Sequence, residues 1–385
     1  MKKFIAVVFA GIIVTGIAFA QEFKVSGEIK TGFFWFDRER VREGKTYESQ
    51  QAGWVHNSED DAGQAALLTD PALVTSQGRF RMDMHLDNGN TGLKVRFEQL
   101  EWKAGGGFPR WAYAFAYGDF LSNQLKISIG RLGDSPWATG GPEMWKELDT
   151  QIGIRAEIKP KILPGLNIGF VINDLSDQQS QHYSEPQTLF DVLSESVLGI
   201  SYTHDVFHGR LAYRLDSKFD EDAGDRLIYR LEERVLRNFI PGFQIWANGD
   251  WQGLRTDNPD NYLWLVNWLY VQYAPELFTA QLRLGYDAFS RRSIFYARPS
   301  FFLNLFNKFI NIGASFEFGQ DFGDNAFLKE SDTSPLRIMV EPMIKVNFGT
   351  AYIAFVYQYR KEFLSPSYVD FTRNHIINLR VLYVF

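Results

Sequence analysis

The residues that could carry out chemistry are few and scattered along this 385-residue chain. His204 and His208 stand four residues apart, a spacing that suits a metal ion on a helix, but they lie where a strand is predicted to end. Ser201 is not in a Gly-x-Ser-x-Gly pattern. Residues 220–225 are acidic but lack the remaining ligands of a calcium loop. We therefore expect no enzyme, no cofactor and no metal site.

The elements that position the other polar residues are predicted to be β-strands throughout. Apolar and polar residues alternate with a period of two, as where Phe23, Val25 and Ile29 are separated by polar residues. About eighteen such segments can be placed between residues 22 and 385, with sixteen as the alternative. Pro299 and Pro342 fall inside two of them and predict β-bulges, because proline cannot donate to a strand ladder.

The connections between these strands fall into two classes that alternate. Short turns such as 88–92 and 161–165 are followed by mostly longer, acidic segments such as 133–150 and 320–335, and residues 38–77 form the first long one. Both ends of the chain lie on the short-turn side. This alternation predicts an all-β fold, a transmembrane up-and-down antiparallel β-barrel, with short turns in the periplasm and long loops outside.

The amino-terminal residues predict export. Met1-Lys2-Lys3 is followed by an apolar run over residues 4–17, and residues 18–20, Ala-Phe-Ala, match a signal-peptidase site. Residues 1–20 are therefore predicted to be a signal peptide cleaved after Ala20, and residues 21–385 a single barrel domain. The chain has no Cys, and 16% of its residues are aromatic, enough for girdles at two membrane interfaces.

The last stretch, residues 371–385, is the most informative one. Ile377, Leu379, Val381 and Tyr383 form an apolar row that ends at Phe385. At this point the chain resembles the bacterial outer-membrane β-barrel porins, whose last strand ends in Phe or Trp. The resemblance implies that Tyr383 and Phe385 are the signal for the outer-membrane assembly machinery. It also implies contact with outer-membrane lipid and lipopolysaccharide, and an assembly as a homotrimer.

Charged residues are predicted to line the inside of the barrel. Strand parity turns more basic than acidic side chains inward, although the net charge of the whole chain is -6. The acidic balance argues against a nucleic-acid partner, whereas a basic channel wall would concentrate anions. We therefore predict an outer-membrane porin, a passive diffusion channel for small hydrophilic solutes with a weak anion preference. The alternatives are a substrate-specific channel for sugars or carboxylates and a surface adhesin barrel.

The narrowest point is predicted at the third long loop, residues 133–150, because the third loop folds inward in the porins that this chain resembles. Small residues on one parity of the adjoining strands would leave room for it: Ala112, Ala114, Ala116, Gly118, Ser128, Gly130, Gly153 and Gly169. Acids of the loop would then face bases of the wall across the pore. The predicted constriction residues are Arg79, Arg81, Lys94, Arg96, Asp134, Glu143, Glu147 and Asp149.

Overall fold

A computed structural model gives the structure of the chain. It describes residues 22–42, 45–54, 79–99, 110–139, 147–148, 152–173, 196–215, 225–254, 264–289, 292–322, 336–363 and 370–385. The predicted signal peptide and its cleavage site lie outside these residues, so they stay a prediction. No helix in the described part of the chain is long and apolar enough to cross a membrane.

The described residues form nineteen strands and one short helix, α1 (Val235–Phe239), between β11 and β12. The strands are β1 (Glu22–Arg42), β2 (Lys45–Trp54), β3 (Arg79–Asp87), β4 (Thr91–Gln99), β5 (Arg110–Phe120), β6 (Leu125–Arg131), β7 (Ile152–Ile158), β8 (Leu166–Asn173), β9 (Val197–Thr203), β10 (Phe207–Arg214), β11 (Arg226–Glu233), β12 (Phe243–Gln252), β13 (Trp264–Tyr273), β14 (Phe278–Phe289), β15 (Arg292–Leu305), β16 (Ile310–Phe322), β17 (Leu336–Phe348), β18 (Ala351–Phe363) and β19 (Asp370–Val384).

The strands form one closed antiparallel sheet, because β1 pairs with β19 on one side and with β2 and β3 on the other. β3 pairs with residues 22–30 of β1, and β2 pairs with residues 33–42, so β2 and β3 share one place in the barrel. The described strands therefore make an eighteen-stranded up-and-down barrel, which confirms the predicted fold class and the larger of the two predicted strand numbers. The pairing of β1 with β19 joins the first and last described strands and so closes the sheet.

The segment 38–77, predicted to be one long loop, begins as a hairpin. β1 continues to Arg42 and β2 runs back from Lys45 in continuous register. The period-two pattern is lost in this polar stretch because neither face of the hairpin carries a regular apolar row. Residues 55–78 lie outside the described ranges.

Side-chain direction follows strand parity, because directly paired residues share a face of the sheet. On β19, Ile377, Leu379 and Tyr383 point outward as predicted. At the seam, the backbone N–H of Gly27 donates to the Phe385 carbonyl at 2.9 Å, and the Phe385 N–H donates back to Gly27 at 2.9 Å. A Cβ on Gly27 would lie 2.5 Å from Cζ of the Phe385 ring. The terminal aromatic ring therefore needs a glycine beneath it.

The two prolines do not produce the predicted bulges. Pro299 is paired with Leu282, and Pro342 with Ala314, each in unbroken register. On the other side of each proline the pairing lapses for two residues and resumes in the same register. A missing N–H removes a ladder bond on one side of the strand only, so no extra residue is needed to accommodate it.

Eight short connections join consecutive strands at the end of the barrel that holds both ends of the described chain. The connection of residues 234–242 is the longest of them, because β11 ends at Glu233 and α1 follows. The backbone N–H of Leu236 donates to Glu233 Oε1 at 2.7 Å, which satisfies one donor of the first helical turn.

Candidate functional site

The segment of residues 132–139, which follows β6, lies inside the barrel. Three arginines of the inner wall donate to its backbone carbonyls. Arg155 of β7 donates to Gly133 at 3.2 Å. Arg210 of β10 donates to Ala138 at 2.9 Å, and Arg230 of β11 donates to Thr139 at 3.3 Å. The segment therefore crosses the inner face of five consecutive strands, β7 to β11. We call residues 132–139 the inner segment.

Trp137 anchors the inner segment. Its side chain is fully buried, and a Cβ on either Gly169 of β8 or Gly199 of β9 would overlap its indole ring. Gly169 and Gly199 are directly paired, and Ala212 of β10 is paired with Gly199. This row of small residues leaves a shallow hollow in the wall that the indole fills.

An apolar cluster continues around this anchor. Its members are buried side chains of the wall and of the inner segment, together with Leu148 near the other end of the loop: Tyr113, Phe115, Tyr117, Leu132, Trp137, Leu148, Val171, Val197, Ala212 and Ile228. An apolar patch on a channel wall would be exposed to water without a cover, so the inner segment and the wall stabilise each other.

The small residues predicted to make room for the loop are only partly those that do. Ser128 and Gly169 lie on the inner face, and Gly130 and Gly153 share it by pairing. The prediction was wrong for β5, where the row Ala112, Ala114, Ala116 and Gly118 points outward. The inner face of β5 carries large aromatic residues instead, because their hydroxyl groups bond lumen acids: Tyr113 donates to Asp83 and Tyr117 donates to Asp87, both at 2.9 Å.

The inner face of β3 and β4 is a wall of ion pairs. Arg96 Nε donates to Asp83 Oδ1 at 2.5 Å, and Arg81 Nη2 lies 3.4 Å from Glu98 Oε2. Lys94 bonds to Asp134 of the inner segment. Each of these cations therefore has an acid in contact with it, so much of its charge is neutralised locally.

The pKa of Asp134 lies below its ordinary value. Burial alone would raise it, but the hydrogen bond and the positive charge of Lys94 favour the carboxylate more strongly, with smaller help from Arg155 and Arg96. The ion pair between the loop and the wall is therefore intact at neutral pH.

Of the predicted constriction residues, the structure brings Arg81, Lys94, Arg96 and Asp134 together on one side of the lumen. The predicted separation of acid and base across the pore is wrong for these four, because Asp134 contacts Lys94 directly and the arginines contact acids of their own wall. The backbone of Arg79 pairs with Lys30, and Glu147 precedes the buried Leu148. Glu143 and Asp149 lie outside the described residues.

The opposite part of the wall, β11 to β15, combines arginine with aromatic rings. Trp246 stacks on Tyr270 with ring centroids 4.0 Å apart, and the Arg230 guanidinium carbon lies 5.3 Å from the Trp246 ring centroid. The Arg283 guanidinium carbon lies 4.5 Å from the centroid of Trp268. These contacts place Trp246 and Trp268 on the inner face of the barrel. A guanidinium over an aromatic face is a stable arrangement that keeps its charge.

A buried polar network follows on β15 to β18, and sequence reasoning missed most of it. Arg298 Nη2 donates to Glu341 Oε1 at 2.8 Å, and Arg298 Nη1 lies 3.6 Å from Glu317 Oε2. Gln358 Nε2 donates to Glu341 Oε2 at 3.0 Å. The signal was present in strand parity, but the bulge expected at Pro299 left the direction of Arg298 unassigned.

Four cations on the inner face, Lys126, Arg210, Arg214 and Lys345, make no ion pair with any carboxylate that the structure describes. Arg210 binds the carbonyl of Ala138, which is neutral. Lys345 Nζ lies 4.2 Å from the centroid of the Tyr352 ring. No group of three or more metal-ligating side chains occurs in the described ranges.

A closed barrel with a charged inner face and a loop segment held inside it has the fold of the outer-membrane porins. No protein-family model matches the sequence, and no curated protein sequence matches it. Solved porin structures match over nearly the whole chain.

Three of these structures illustrate the likeness. OccK2 (OpdF) of Pseudomonas aeruginosa, solved in complex with glucuronate, has a TM-score of 0.57 at 10% identity over 95% of this chain and 99% of its own. OprD of the same organism has a TM-score of 0.55 at 10% identity, over 95% and 96%. OccAB4 of Acinetobacter baumannii has a TM-score of 0.53 at 8% identity, over 95% and 99%. At these identities the likeness concerns the fold alone.

Proposed function

We propose that the protein is an outer-membrane porin, a passive channel for small hydrophilic solutes with a weak preference for anions. The short turns would lie in the periplasm and the long loops outside. The observation that supports the anion preference is the positive charge that ion pairing does not neutralise. Arg210, Arg214 and Lys345 make no ion pair with a described carboxylate, whereas most lumen acids are paired.

The net charge of the lumen depends on ion pairing rather than on the number of basic residues. Arg81 and Arg96 are basic, yet each contacts a carboxylate, so a passing ion meets a nearly neutral dipole there. Asp119 is an inner-face acid in no described ion pair, and its charge is offset by Lys126, which lies beside it at the short-turn rim. A small positive excess in a narrow, low-dielectric channel raises the local anion concentration.

The test is the reversal potential of single channels in a salt gradient. Arg214→Gln and Lys345→Gln together should move the reversal potential toward cation preference, because neither residue holds the inner segment. Lys161→Gln is the control, since Lys161 lies in the turn between β7 and β8 and is exposed. An unchanged reversal potential in the double variant would contradict the proposal.

A second candidate is a channel selective for acids that carry a ring. The support for it is the arginine and aromatic side of the lumen, where Arg230 lies over Trp246 and Arg283 over Trp268. Aromatic faces stack on rings, and a guanidinium binds a carboxylate in two-point fashion. The two groups side by side suit a solute that carries both features.

Flux measurements separate the two candidates. Proteoliposomes containing the protein should swell faster, and with saturation, in a sugar acid than in the matching neutral sugar of equal size if the channel is selective. Trp268→Ala should remove the saturation and leave the flux of the neutral sugar intact. Equal, unsaturated rates for both solutes would leave the general porin as the function.

A further inference from the structure

The short turns at the rim are unusually apolar. Six of the eight short connections, all within the described residues, carry a large exposed apolar side chain. The most exposed of them are Ile162 at 93%, Phe239 at 79%, Phe306 at 76%, Leu277 at 75% and Leu121 at 70%. Val206 completes the set. We call these six connections the apolar turns. Turns that project into water are normally built from polar residues and glycine.

The two remaining turns are polar, and their place in the barrel is not random. Residues 88–90 are Asn-Gly-Asn between β3 and β4, and residues 349–350 are Gly-Thr between β17 and β18. The order around the barrel is β17, β18, β19, β1, β3, β4, so these two turns stand on either side of the seam. The apolar turns follow one another without interruption from β5 round to β16.

The apolar turns continue the outward apolar face of the strands. On β15, the outward row from Phe295 to Leu305 leads directly into Phe306 of the turn, and Phe309 and Ile312 continue it on the returning strand. Eleven strand residues tilted by about 40° span about 25 Å, the height of a membrane barrel's apolar band. The band is therefore complete at Leu305, and Phe306 lies just beyond its edge.

The backbone of two apolar turns supports the same reading. Leu121, Ser122 and Asn123 have φ of 53°, 55° and 66°, and Phe306, Asn307 and Lys308 have φ of 52°, 56° and 66°. A left-handed conformation disfavours a bulky residue, and glycine or asparagine is the usual occupant. Leu121 and Phe306, at the first of these positions, therefore cost backbone conformational energy. We infer that the position of their side chains supplies a compensating stabilisation.

We propose that the apolar turns are a membrane anchor that lies in the headgroup layer of the phospholipid leaflet at the short-turn rim, with the two polar turns beside the seam left in water. This inference rests on the proposed outer-membrane location of the barrel. The turns also carry exposed Lys161 and Lys308 together with Asp205 and Glu276. Mixed charge beside apolar tips fits a layer of zwitterionic headgroups, where long side chains reach the polar level.

The consequence is an asymmetric anchor. The rim is held in the leaflet along the arc from β5 to β16, whereas the arc that contains the seam is not. The first described residues, with the charged Glu22 and Lys24, and the carboxy-terminal Phe385 lie in the arc without an anchor. They therefore stay accessible to water while the rest of the rim is covered.

The absence of Cys from the chain makes a direct test possible. Single variants Leu277→Cys and Phe306→Cys, each carrying a nitroxide label, are reconstituted in vesicles of phosphatidylethanolamine and phosphatidylglycerol. Asn90→Cys in a polar turn is the matched control in water, and Leu303→Cys in the outward band is the matched control in lipid. Collision rates with oxygen and with a water-soluble nickel chelate give the depth of each label.

The proposal predicts that the labels at residues 277 and 306 meet oxygen more often and nickel less often than the label at residue 90, at a depth shallower than residue 303. Nickel accessibility equal to that of residue 90, with residue 303 in lipid, would overturn the anchor and leave the barrel's membrane location intact. A water-exposed label at residue 303 would overturn the proposed function itself. Shielding of both turn labels from both reagents would mean that a second copy covers them, and would also overturn the anchor.

Discussion

Removing the indole of Trp137 should release the inner segment from the wall. The side chain is fully buried on Gly169 and Gly199, and truncating a buried Trp to Ala typically costs about 3–5 kcal/mol. At about 1.4 kcal/mol for each factor of ten, the equilibrium between docked and undocked segment shifts by more than about a hundredfold. The barrel itself keeps its strand ladder, so the expected change is in the loop.

The assay is single-channel recording in planar bilayers. Trp137→Ala should show a larger mean conductance and more frequent current fluctuations than the wild type, because the segment no longer stays across the lumen. Gly199→Val should have the same effect, since its side chain would occupy the space of the indole. Trp111→Ala is the control, because Trp111 points outward and is exposed.

Conductance and noise in Trp137→Ala that equal those of the wild type would refute the reasoning. Such a result would mean that the three arginine bonds to the carbonyls of Gly133, Ala138 and Thr139 suffice to hold the segment, or that the segment does not limit the current. The variants Arg210→Gln and Arg230→Gln would then separate these explanations, because they remove two of the three bonds.

Three further predictions follow from other contacts. Gly27→Val and deletion of Phe385 should each lower the yield of folded barrel, because each removes contacts between Gly27 and Phe385 at the seam. The yield is measured as the fraction that resists unfolding in a cold detergent gel, and an unchanged yield would contradict this prediction. Lowering the pH below about 4 should raise conductance, because it protonates Asp134 and breaks the ion pair with Lys94. The folded-state pKa of Asp134 is depressed, so the ion pair contributes its full stabilisation above the ordinary carboxylate pKa. That stabilisation is lost as the pH falls through the folded-state pKa. Asp134→Asn should abolish that step, and a step that survives would exclude Asp134 as its origin. Arg298→Met should destabilise the barrel by about 3–5 kcal/mol in urea unfolding, because it leaves the buried Glu341 carboxylate uncompensated, and adding Glu341→Gln should restore part of the loss; no loss in the single variant would show that the pair is dispensable.

The strand layout could be predicted because a barrel wall with one face toward the lumen and one outward leaves a period-two pattern. The row Ile377, Leu379 and Val381 and the alternation of short and long connections were sufficient for the fold. Strands that are apolar on both faces do not reveal their direction. On β5, Tyr113 and Tyr117 point inward because their hydroxyl groups bond acids of β3, and no local pattern encodes a partner thirty residues away.

Contacts that depend on the pairing between strands also could not be predicted from the sequence. Parity places Arg81 and Arg96 on the inner face, but only the register of β3 against β4 brings them beside Glu98 and Asp83. The sequence therefore predicts a basic lumen more strongly than the folded molecule shows. The hollow for Trp137 was likewise partly visible, since Gly169 was among the predicted small residues, whereas Gly199 becomes its neighbour only through the pairing of β8 with β9.

We propose that the wild-type protein is a channel whose lumen keeps a positive net charge after ion pairing. Reconstitution into a planar bilayer of neutral lipid under a potassium chloride gradient measures both properties at once. We expect stepwise conductance with a small reversal potential of the sign that indicates chloride preference. A barrel that inserts without conductance, or one whose reversal potential indicates potassium preference, would contradict it.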